Sequence, residues 1–386
     1  MTLLNNLKIV DVVSGTVLEN RSILIDDGII RAIETSNNNS DEAALDTRGL
    51  WVIPSFVDMH AHVTFEGREH HKISFDLEEN TETSLARCIQ NVTEALFSGT
   101  CLIRDMGAKS NAIYSLRKLI DTRKVLGPEL ILCGKPLCVE GGHGHEFGQT
   151  LADQSIDSLI DDHLEKKLDW LKIMNDPELF PIGLLRSIVE KAHSANLKIA
   201  IHAFTEDGVK NAVQAEADTI EHAVAFNDEV SGIAQKNGTW FVPTLYCSKI
   251  SLSPDYLSTV SDEAYKGYLY QWYDFLHRHF SYHIRSNLPV LAGTDAGNAP
   301  STFSDIYHEI AYFHTQGLSA IDALRAATIF PAKALGVENK YGSINIGKWA
   351  NFILLSVNPL DDISSIKHPA AIWYKGKSIT RPLEIL

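Results

Sequence analysis

Eight short apolar runs that alternate with helical segments constrain the fold of this chain most. The segments between the runs carry apolar residues at helical spacing, as on the face formed by Leu185, Ile188, Val189 and Ala192. Strands that alternate with helices form parallel sheets with crossover connections. Eight such units predict an α/β fold of the (β/α)8 TIM barrel type. The runs are 51–62, 100–106, 129–137, 169–174, 198–203, 219–224, 240–245 and 290–296.

A doubly wound open sheet is the alternative arrangement of such units. That fold normally places a glycine-rich phosphate loop after its first strand. Here the position holds His60-Ala61-His62, which favours the barrel.

Both ends of the chain differ from the middle in their sequence pattern. Near the N-terminus, Leu7–Val13, Ser22–Ile25 and Ile29–Ile33 are apolar or β-branched, with a hairpin signal at Asp26-Asp27-Gly28. A polar loop, Asn37-Asn38-Asn39-Ser40, follows them.

The C-terminal end resembles the N-terminal end in composition. Residues 342–348 predict a turn-rich hairpin, and 351–355 and 371–374 predict strands. We therefore predict a small composite β-sandwich domain from 1–54 and 337–386, and a barrel domain over 55–336.

The formal net charge of −15 argues against nucleic acid and anionic membranes as partners and leaves a small-molecule substrate. We see no signal peptide and no apolar run long enough to span a bilayer. The five cysteines are an odd number without a C-x-x-C pair, and Cys133 and Cys138 are read as buried thiols. We expect a reducing, cytoplasmic location.

Metal-competent side chains stand where the predicted strands end, the face that carries the active site in barrel enzymes. The first strand ends in His60 and His62, which point to the same side because they are two apart. A second such pair, His277 and His279, lies in a helical stretch where the two side chains diverge.

Lys172 lies in the middle of the fourth apolar strand. A buried lysine is costly unless it is paired or chemically changed. It either reaches solvent at the strand end or is carboxylated by CO2, which would turn a cation into an anionic carbamate able to bridge two metals.

Strands five, six and eight end in His202, His222 and Asp295. Each of these residues is ambiguous alone, since a single histidine after an apolar run is often a core residue. Five coincidences at strand ends together indicate a metal centre.

This order of ligands resembles the binuclear amidohydrolases. Residues 50–62 resemble their first-strand signature, 292–297 the eighth strand, and 342–351 the C-terminal hairpin, with Asn351 in place of the usual aspartate. The resemblance implies His60, His62 and Asp295 on one ion, His202 and His222 on the other, and carboxylated Lys172 bridging both.

The resemblance also implies hydrolysis of an amide or peptide C–N bond by a hydroxide that bridges two divalent ions, with zinc as the default. Asp295 would carry the proton to the leaving nitrogen. Two features are similar to the prolidase-like branch, Gly141–His145 and Val242–Tyr246. They imply that His143 and Tyr246 contact the substrate's carbonyl or carboxylate, on an Xaa-Pro dipeptide or an N-acyl amino acid. The segment 175–180 after Lys172 is bulkier than that branch commonly has.

Two other functions remain open at this point. A cyclic amide or imide hydrolase, or a deaminase, of the same superfamily often uses one metal and lacks the strand-four lysine. A non-catalytic assembly protein would have lost ligands, whereas here the positions are filled. The apolar face at Tyr268, Trp272 and Phe275 would either cover the barrel mouth or pack against a second copy in a homo-oligomer.

Overall fold

The computed structural model describes residues 1–36, 44–67, 80–152, 154–175 and 179–379. The predicted polar loop at 37–40 lies outside this part of the chain. The chain divides into two compact units, Met1–Val57 with Glu94–Cys101 and Ile306–Leu386, and Asp58–Thr93 with Leu102–Asp305.

The described strands and helices alternate through the middle of the chain, which shows an α/β fold. The strands are β1 Thr2–Asp11, β2 Thr16–Asp26, β3 Ile29–Thr35, β4 Leu45–Asp46, β5 Trp51–Pro54, β6 Phe56–Ala61, β7 Thr100–Asp105, β8 Glu129–Leu132, β9 Trp170–Met174, β10 Lys198–His202, β11 Thr219–Glu221, β12 Trp240–Val242, β13 Phe352–Leu355, β14 Ala371–Tyr374 and β15 Lys377–Ile379.

The helices connect the central strands and follow the last of them. They are α1 Thr81–Phe97, α2 Ala112–Asp121, α3 Ile156–Glu165, α4 Ile182–Ser194, α5 Glu206–Gln214, α6 Asp228–Asn237, α7 Leu245–Ile250, α8 Pro254–Thr259, α9 Glu263–Arg285, α10 Ile306–Thr315, α11 Ala320–Ala326 and α12 Ile329–Leu335. None of those described combines the length and apolar character that a membrane span requires.

The first unit contains one eight-stranded sheet built from both chain ends, in the order β15-β14-β13-β5-β1-β2-β3, with β4 on β1. The ends meet where β13 pairs antiparallel with β5, Phe352 opposite Pro54. The core on this sheet is aliphatic and aromatic, and Phe352 stacks on Trp373 within it. The predicted hairpin at 342–348 is wrong, because this segment forms turns, and Ile30 donates its N–H to the Lys348 carbonyl.

The second unit contains parallel strands. Strands β9 to β12 form one sheet in sequence order, and β6, β7 and β8 form another. Leu137 joins the two groups: its N–H donates to the Lys172 carbonyl and its own carbonyl accepts from Met174. The consecutive parallel order follows from crossover helices between the strands.

The eighth apolar run departs from the prediction, since 290–296 forms no regular strand. It is held by isolated parallel bridges, Val290 with Phe241 on one side and Ala296 with Ala61 on the other. Two glycines permit this close approach to β6. A Cβ at Gly293 would lie 2.7 Å from the Cβ of His60, and one at Gly297, at φ +95°, would collide with the His62 carbonyl oxygen.

Local signals in the helices agree with the structure. Ser155 caps α3 by accepting the Ser158 N–H, and the predicted apolar face of α4 is buried. His277 and His279 lie in α9, as expected. All five cysteines are buried thiols, and burial raises the pKa of Cys138 to about 11.

Candidate metal centre

Three of the predicted ligands converge in the structure and are called here the first ligand group: His60, His62 and Asp295. One ligand atom from each lies within 4.8 Å of the others, and all three residues are buried. The Asp295 Oδ1 lies 3.5 Å from His60 Nε2 and 3.4 Å from His62 Nε2. The end of β6, with His60 and His62, and the irregular eighth run, with Asp295, thus place their side chains at one point.

The second ligand group, Lys172, His202 and His222, lies beside the first. The His222 ring is 4.5 Å from the His60 ring and 4.6 Å from the His202 ring, measured between centroids. Lys172 in β9 is 1% exposed and lines the same cleft as both histidines. Burial lowers the pKa of Lys172 to about 8, although the nearby Glu221 and Asp295 carboxylates oppose this shift.

Three of the histidines, His60, His202 and His222, are held in the neutral form that metals bind. Burial lowers the pKa of His60, and the neighbouring Lys172 lowers it further. The pKa values of His202 and His222 are also lowered, mainly by burial and next by the charge of a neighbouring histidine. A neutral imidazole has one proton, so its partner on one nitrogen decides whether the other is a free ligand atom.

The partner of His60 is a buried ion pair. His60 Nδ1 lies 2.7 Å from Glu221 Oε2, and Arg104 donates from Nη2 to Glu221 Oε1 at 2.8 Å. Thr219 also donates its hydroxyl to Oε1. The Glu221 carboxylate, positioned by these donors, accepts the Nδ1–H of His60, which leaves the Nε2 lone pair facing Asp295.

His62 and His222 are fixed in the same way by neutral acceptors. His62 Nδ1 lies 3.0 Å from the Gly107 carbonyl oxygen, which can only accept. His222 Nδ1 lies 2.9 Å from the Thr244 hydroxyl, whose proton is donated to the Pro243 carbonyl at 2.7 Å. In both rings Nδ1 is therefore the donor, and a neutral imidazole with this proton has its lone pair on Nε2.

The resulting arrangement suits a cation. His60 Nε2, both nitrogens of His202 and Asp295 Oδ1 are buried without a hydrogen-bond partner among the described residues. Buried polar groups are normally paired, and here acceptor atoms face one another across 3.4–3.5 Å. Imidazole nitrogens with a carboxylate are a donor set for zinc and related divalent ions.

The backbone is strained at three positions around this cluster. His222, Thr244 and Asp295 have positive φ angles of 64°, 48° and 55°. For residues other than glycine this conformation costs about 1–3 kcal/mol and is found where structure serves a site. The strain turns the side chains of His222 and Asp295 toward the cleft at the points where regular strands end.

The second oxygen of Asp295 has its own partners. Asn298 donates its amide to Oδ2 at 3.0 Å, and the Cys247 thiol lies 3.7 Å from the same oxygen. Asp295 is thus held with Oδ2 anchored and Oδ1 toward the histidines. Asn298 and Cys247 were not predicted, and neither belongs to a motif that would have identified it.

A cleft of about 870 Å3, part of it open to solvent, contains this cluster. Of the predicted substrate contacts, His143 lines the cleft, whereas the described lining does not include Tyr246, which is partly buried in α7. The Tyr268 and Trp272 side chains line it instead of facing away from the fold. Further lining residues that the sequence did not predict are Phe65, Glu146, Phe147, Met174, Tyr265 and Asn298.

The loop that departs from the prolidase-like pattern is described only in part, since 176–178 lie outside the described residues. At its start Asn175 is buried, and its Oδ1 accepts the N–H of Phe180 at 3.0 Å. The Asn175 Oδ1 therefore binds the backbone at the far end of this segment, whereas its Nδ2 is buried without a hydrogen-bond partner among the described residues.

Comparison with known proteins places this geometry in a family. The model of the amidohydrolase family matches residues 51–379. The ochratoxinase of Aspergillus niger is 22% identical over 95% of this chain and 84% of its own length.

Solved structures share the fold over nearly the whole chain. A Xaa-Pro dipeptidase with bound methionine superposes with a TM-score of 0.88 at 24% identity, covering 98% of this chain and 99% of its own. A prolidase complexed with N-methylphosphonate-L-proline superposes with a TM-score of 0.85 at 21% identity, covering 99% and 100%. The chain therefore belongs to the amidohydrolase family of hydrolases acting on carbon–nitrogen bonds, with structural neighbours in the prolidase-like branch.

Proposed function

We propose that this protein hydrolyses an amide or peptide C–N bond of an Xaa-Pro dipeptide or an N-acyl amino acid, using two divalent metal ions. The observation that carries the proposal is that His60 Nε2 and Asp295 Oδ1, both buried without a hydrogen-bond partner among the described residues, direct their lone pairs at each other across 3.5 Å, with His62 Nε2 3.4 Å from the same oxygen. Without a cation between them these lone pairs would repel one another in a buried site. Ochratoxinase, Xaa-Pro dipeptidase and prolidase among its relatives favour this chemistry.

The residues present fit two divalent ions, most simply zinc. The first ligand group would hold one ion, and His202 and His222 the other, with Lys172 carboxylated by CO2 to bridge them. Formation of the carbamate joins the amine nitrogen to the CO2 carbon and releases one proton, and the lowered pKa of Lys172, about 8, increases the share of reactive neutral amine. When bound, the ions acidify a shared water to a pKa of about 7 and polarise the scissile carbonyl.

Asp295 would carry the proton. Its Oδ1 faces His60 and His62 while Asn298 anchors Oδ2, so the carboxylate is fixed in one orientation beside the ligand atoms. The proton then passes to the leaving nitrogen. His143 would contact the substrate's carbonyl or carboxylate. The same role for Tyr246 stays a prediction, because the described cleft lining does not include it.

The proposal includes a (β/α)8 barrel over 55–336 and a composite β-sandwich domain from 1–54 and 337–386. Supporting it, the bridges of 290–296 to Phe241 and to Ala61 connect β12 with β6. Leu137, which follows β8 in the chain, forms an isolated parallel bridge with Ile173 of β9.

A cyclic amide or imide hydrolase of the same family is the second candidate. Lys172, which is buried and lines the same cleft as His202, His222 and Asp295, favours two metals and therefore the first candidate. A metal content near one per chain would favour the second.

The test is hydrolysis of a panel of Xaa-Pro dipeptides, N-acyl amino acids and cyclic imides by protein reconstituted with zinc and bicarbonate, with metal content measured alongside. We expect turnover of the linear amides and about two ions per chain. Asp295→Asn should lower kcat by roughly 100-fold to 10,000-fold while most metal remains bound.

The matched control is Asp255→Asn, an exposed aspartate in the first turn of α8. It should keep the rate and the metal content. Near-normal turnover by Asp295→Asn would contradict the role of Asp295, and turnover of cyclic imides alone would replace the leading candidate with the second.

A further inference from the structure

The described part of the cleft has two aromatic groups beside the ligand groups. Phe65 stacks on His62 with ring centroids 5.1 Å apart, and Phe147 meets Phe65 edge-on at 5.2 Å. On the side of His202 and His222, α9 contributes Tyr265, Tyr268 and Trp272 to the lining. The chemistry of a hydrolase needs none of these rings, so their presence calls for another explanation.

The three rings of α9 lie on one face of the helix, at positions i, i+3 and i+7. Trp272 is buried and lies 5.5 Å from the His222 ring. Tyr268 is only partly buried and is stacked at 5.8 Å on both His143 and Tyr265. Tyr268 lines the cleft and keeps part of its side chain exposed, and this exposed part is what a molecule entering the cleft would contact.

Packing within the protein fixes the orientation of Tyr268. Phe204 meets its ring edge-on with centroids 4.5 Å apart. A ring held in this way loses little conformational entropy when a ligand binds, which makes it an efficient recognition surface. Aromatic pairs prefer stacked or edge-on geometry, so fixed rings favour a planar aromatic partner over an aliphatic group of similar size.

We propose that the substrate carries a planar aromatic ring on the acyl or the amine side of the scissile amide, and that Tyr268 determines this preference. This inference rests on the proposed function, since it names the substrate class of the same site. Dipeptides of small aliphatic residues would leave the aromatic surfaces uncovered.

The test uses two matched pairs of N-acyl amino acids with the zinc-loaded enzyme. N-Benzoylglycine against N-acetylglycine places the ring on the acyl side, and N-acetyl-L-phenylalanine against N-acetyl-L-alanine places it on the amine side. Binding is measured by calorimetry, separately from kcat/KM. We expect the aromatic member of at least one pair to exceed its partner by roughly 10-fold to 100-fold.

Tyr268→Ala should remove most of this difference, with Tyr268→Leu as a second variant that keeps the volume without the ring. Tyr270→Ala is the matched control, because Tyr270 is two positions along the same helix and 53% exposed. It should leave the preference intact.

Each outcome bears on one of the two proposals. Turnover of all four compounds at similar rates and affinities would overturn the aromatic preference and keep the proposed function. Tighter binding of an aromatic member without any turnover would support the preference and contradict the proposed function. A preference that survives Tyr268→Ala and Tyr268→Leu, or an absence of binding by all four compounds, would overturn the inference.

Discussion

The first and second ligand groups lie in one cleft, yet the protein supports them differently. In the first, every member has a fixed partner: Glu221 for His60, the Gly107 carbonyl for His62 and Asn298 for Asp295. In the second, His222 has Thr244, but both nitrogens of His202 lack a hydrogen-bond partner among the described residues. Lys172 is a buried amine whose positive charge opposes cation binding. The first group is preorganised, whereas the second needs a chemical change at Lys172.

The largest expected effect comes from Lys172→Met, which removes the bridging role and tests whether the second group depends on it. Metal content should fall from two ions per chain to about one. The kcat/KM should fall roughly 1,000-fold, since metal ions contribute several kcal/mol to transition-state stabilisation. Metal analysis with and without bicarbonate during reconstitution checks this.

Lys118→Met, at an exposed position of α2, is the control and should behave as wild type. Two ions bound by Lys172→Met would show that the second group is complete without the lysine.

The second expected effect concerns acid stability near the second group. His283 accepts the Ala225 N–H at 3.0 Å, three residues after His222, and burial lowers the pKa of His283 to about 4. The unfolded chain takes up a proton below about 6.5 while the folded chain does not. Above that pH the titration of His283 costs the folded protein no stability. As the pH falls toward 4, the free energy of unfolding decreases by up to roughly 3 kcal/mol.

Asp58 and Asp105 have the opposite effect on the free energy of unfolding as the pH falls, because burial raises the pKa of each carboxyl group to about 6. The contribution of His283 is therefore read from the difference between wild type and His283→Asn in urea unfolding from pH 7 to 4. Asparagine keeps an acceptor for Ala225 and does not titrate. Equal pH slopes for the two proteins would contradict the assignment, and exposed His368→Asn is the control.

The third expected effect is on the first group. Glu221→Gln cancels the charge that fixes the His60 tautomer, so affinity for the first ion should fall roughly 10-fold to 100-fold. Competition with a chelator measures it. The variant leaves Arg104 buried without its anion, so the double variant with Arg104→Gln separates loss of stability from loss of affinity. The control is Glu190→Gln at an exposed position. An unchanged affinity of Glu221→Gln for the first ion would contradict this account of His60.

The smallest expected effect separates the two groups at one hydrogen bond. Thr244→Val leaves the His222 Nδ1–H without its acceptor, which costs about 1–3 kcal/mol. Affinity for the second ion should fall about tenfold while that for the first is unchanged. Thr244→Ser keeps the hydroxyl and should restore the affinity. Equal weakening of both ions would show that the groups are not independent.

The convergence of the first ligand group was predictable because its residues stand where apolar runs end, and the parallel order of strands brings those ends together. His60, His62 and Asp295 converge as that rule expects. The eighth run was predicted as a strand, yet Gly293 and Gly297 let it approach β6 as irregular backbone with isolated bridges.

The supporting residues were not predictable in the same way. Arg104 and Glu221 each interrupt an apolar strand, which signals a buried charge, but they lie 117 positions apart on strands that are not neighbours in the described sheets. Their pairing depends on tertiary geometry that local patterns do not contain. The aromatic face of α9 was recognisable in the sequence, but the sequence did not show whether this face lies toward the cleft or toward a second copy of the chain.

Anomalous diffraction at the zinc edge, from crystals grown with zinc and bicarbonate, tests the central claim most directly. The account predicts two peaks, one among His60, His62 and Asp295 and one beside His202 and His222, with density for a carboxyl group on Lys172. A peak at the first group alone, with Lys172 as a plain amine, would contradict it.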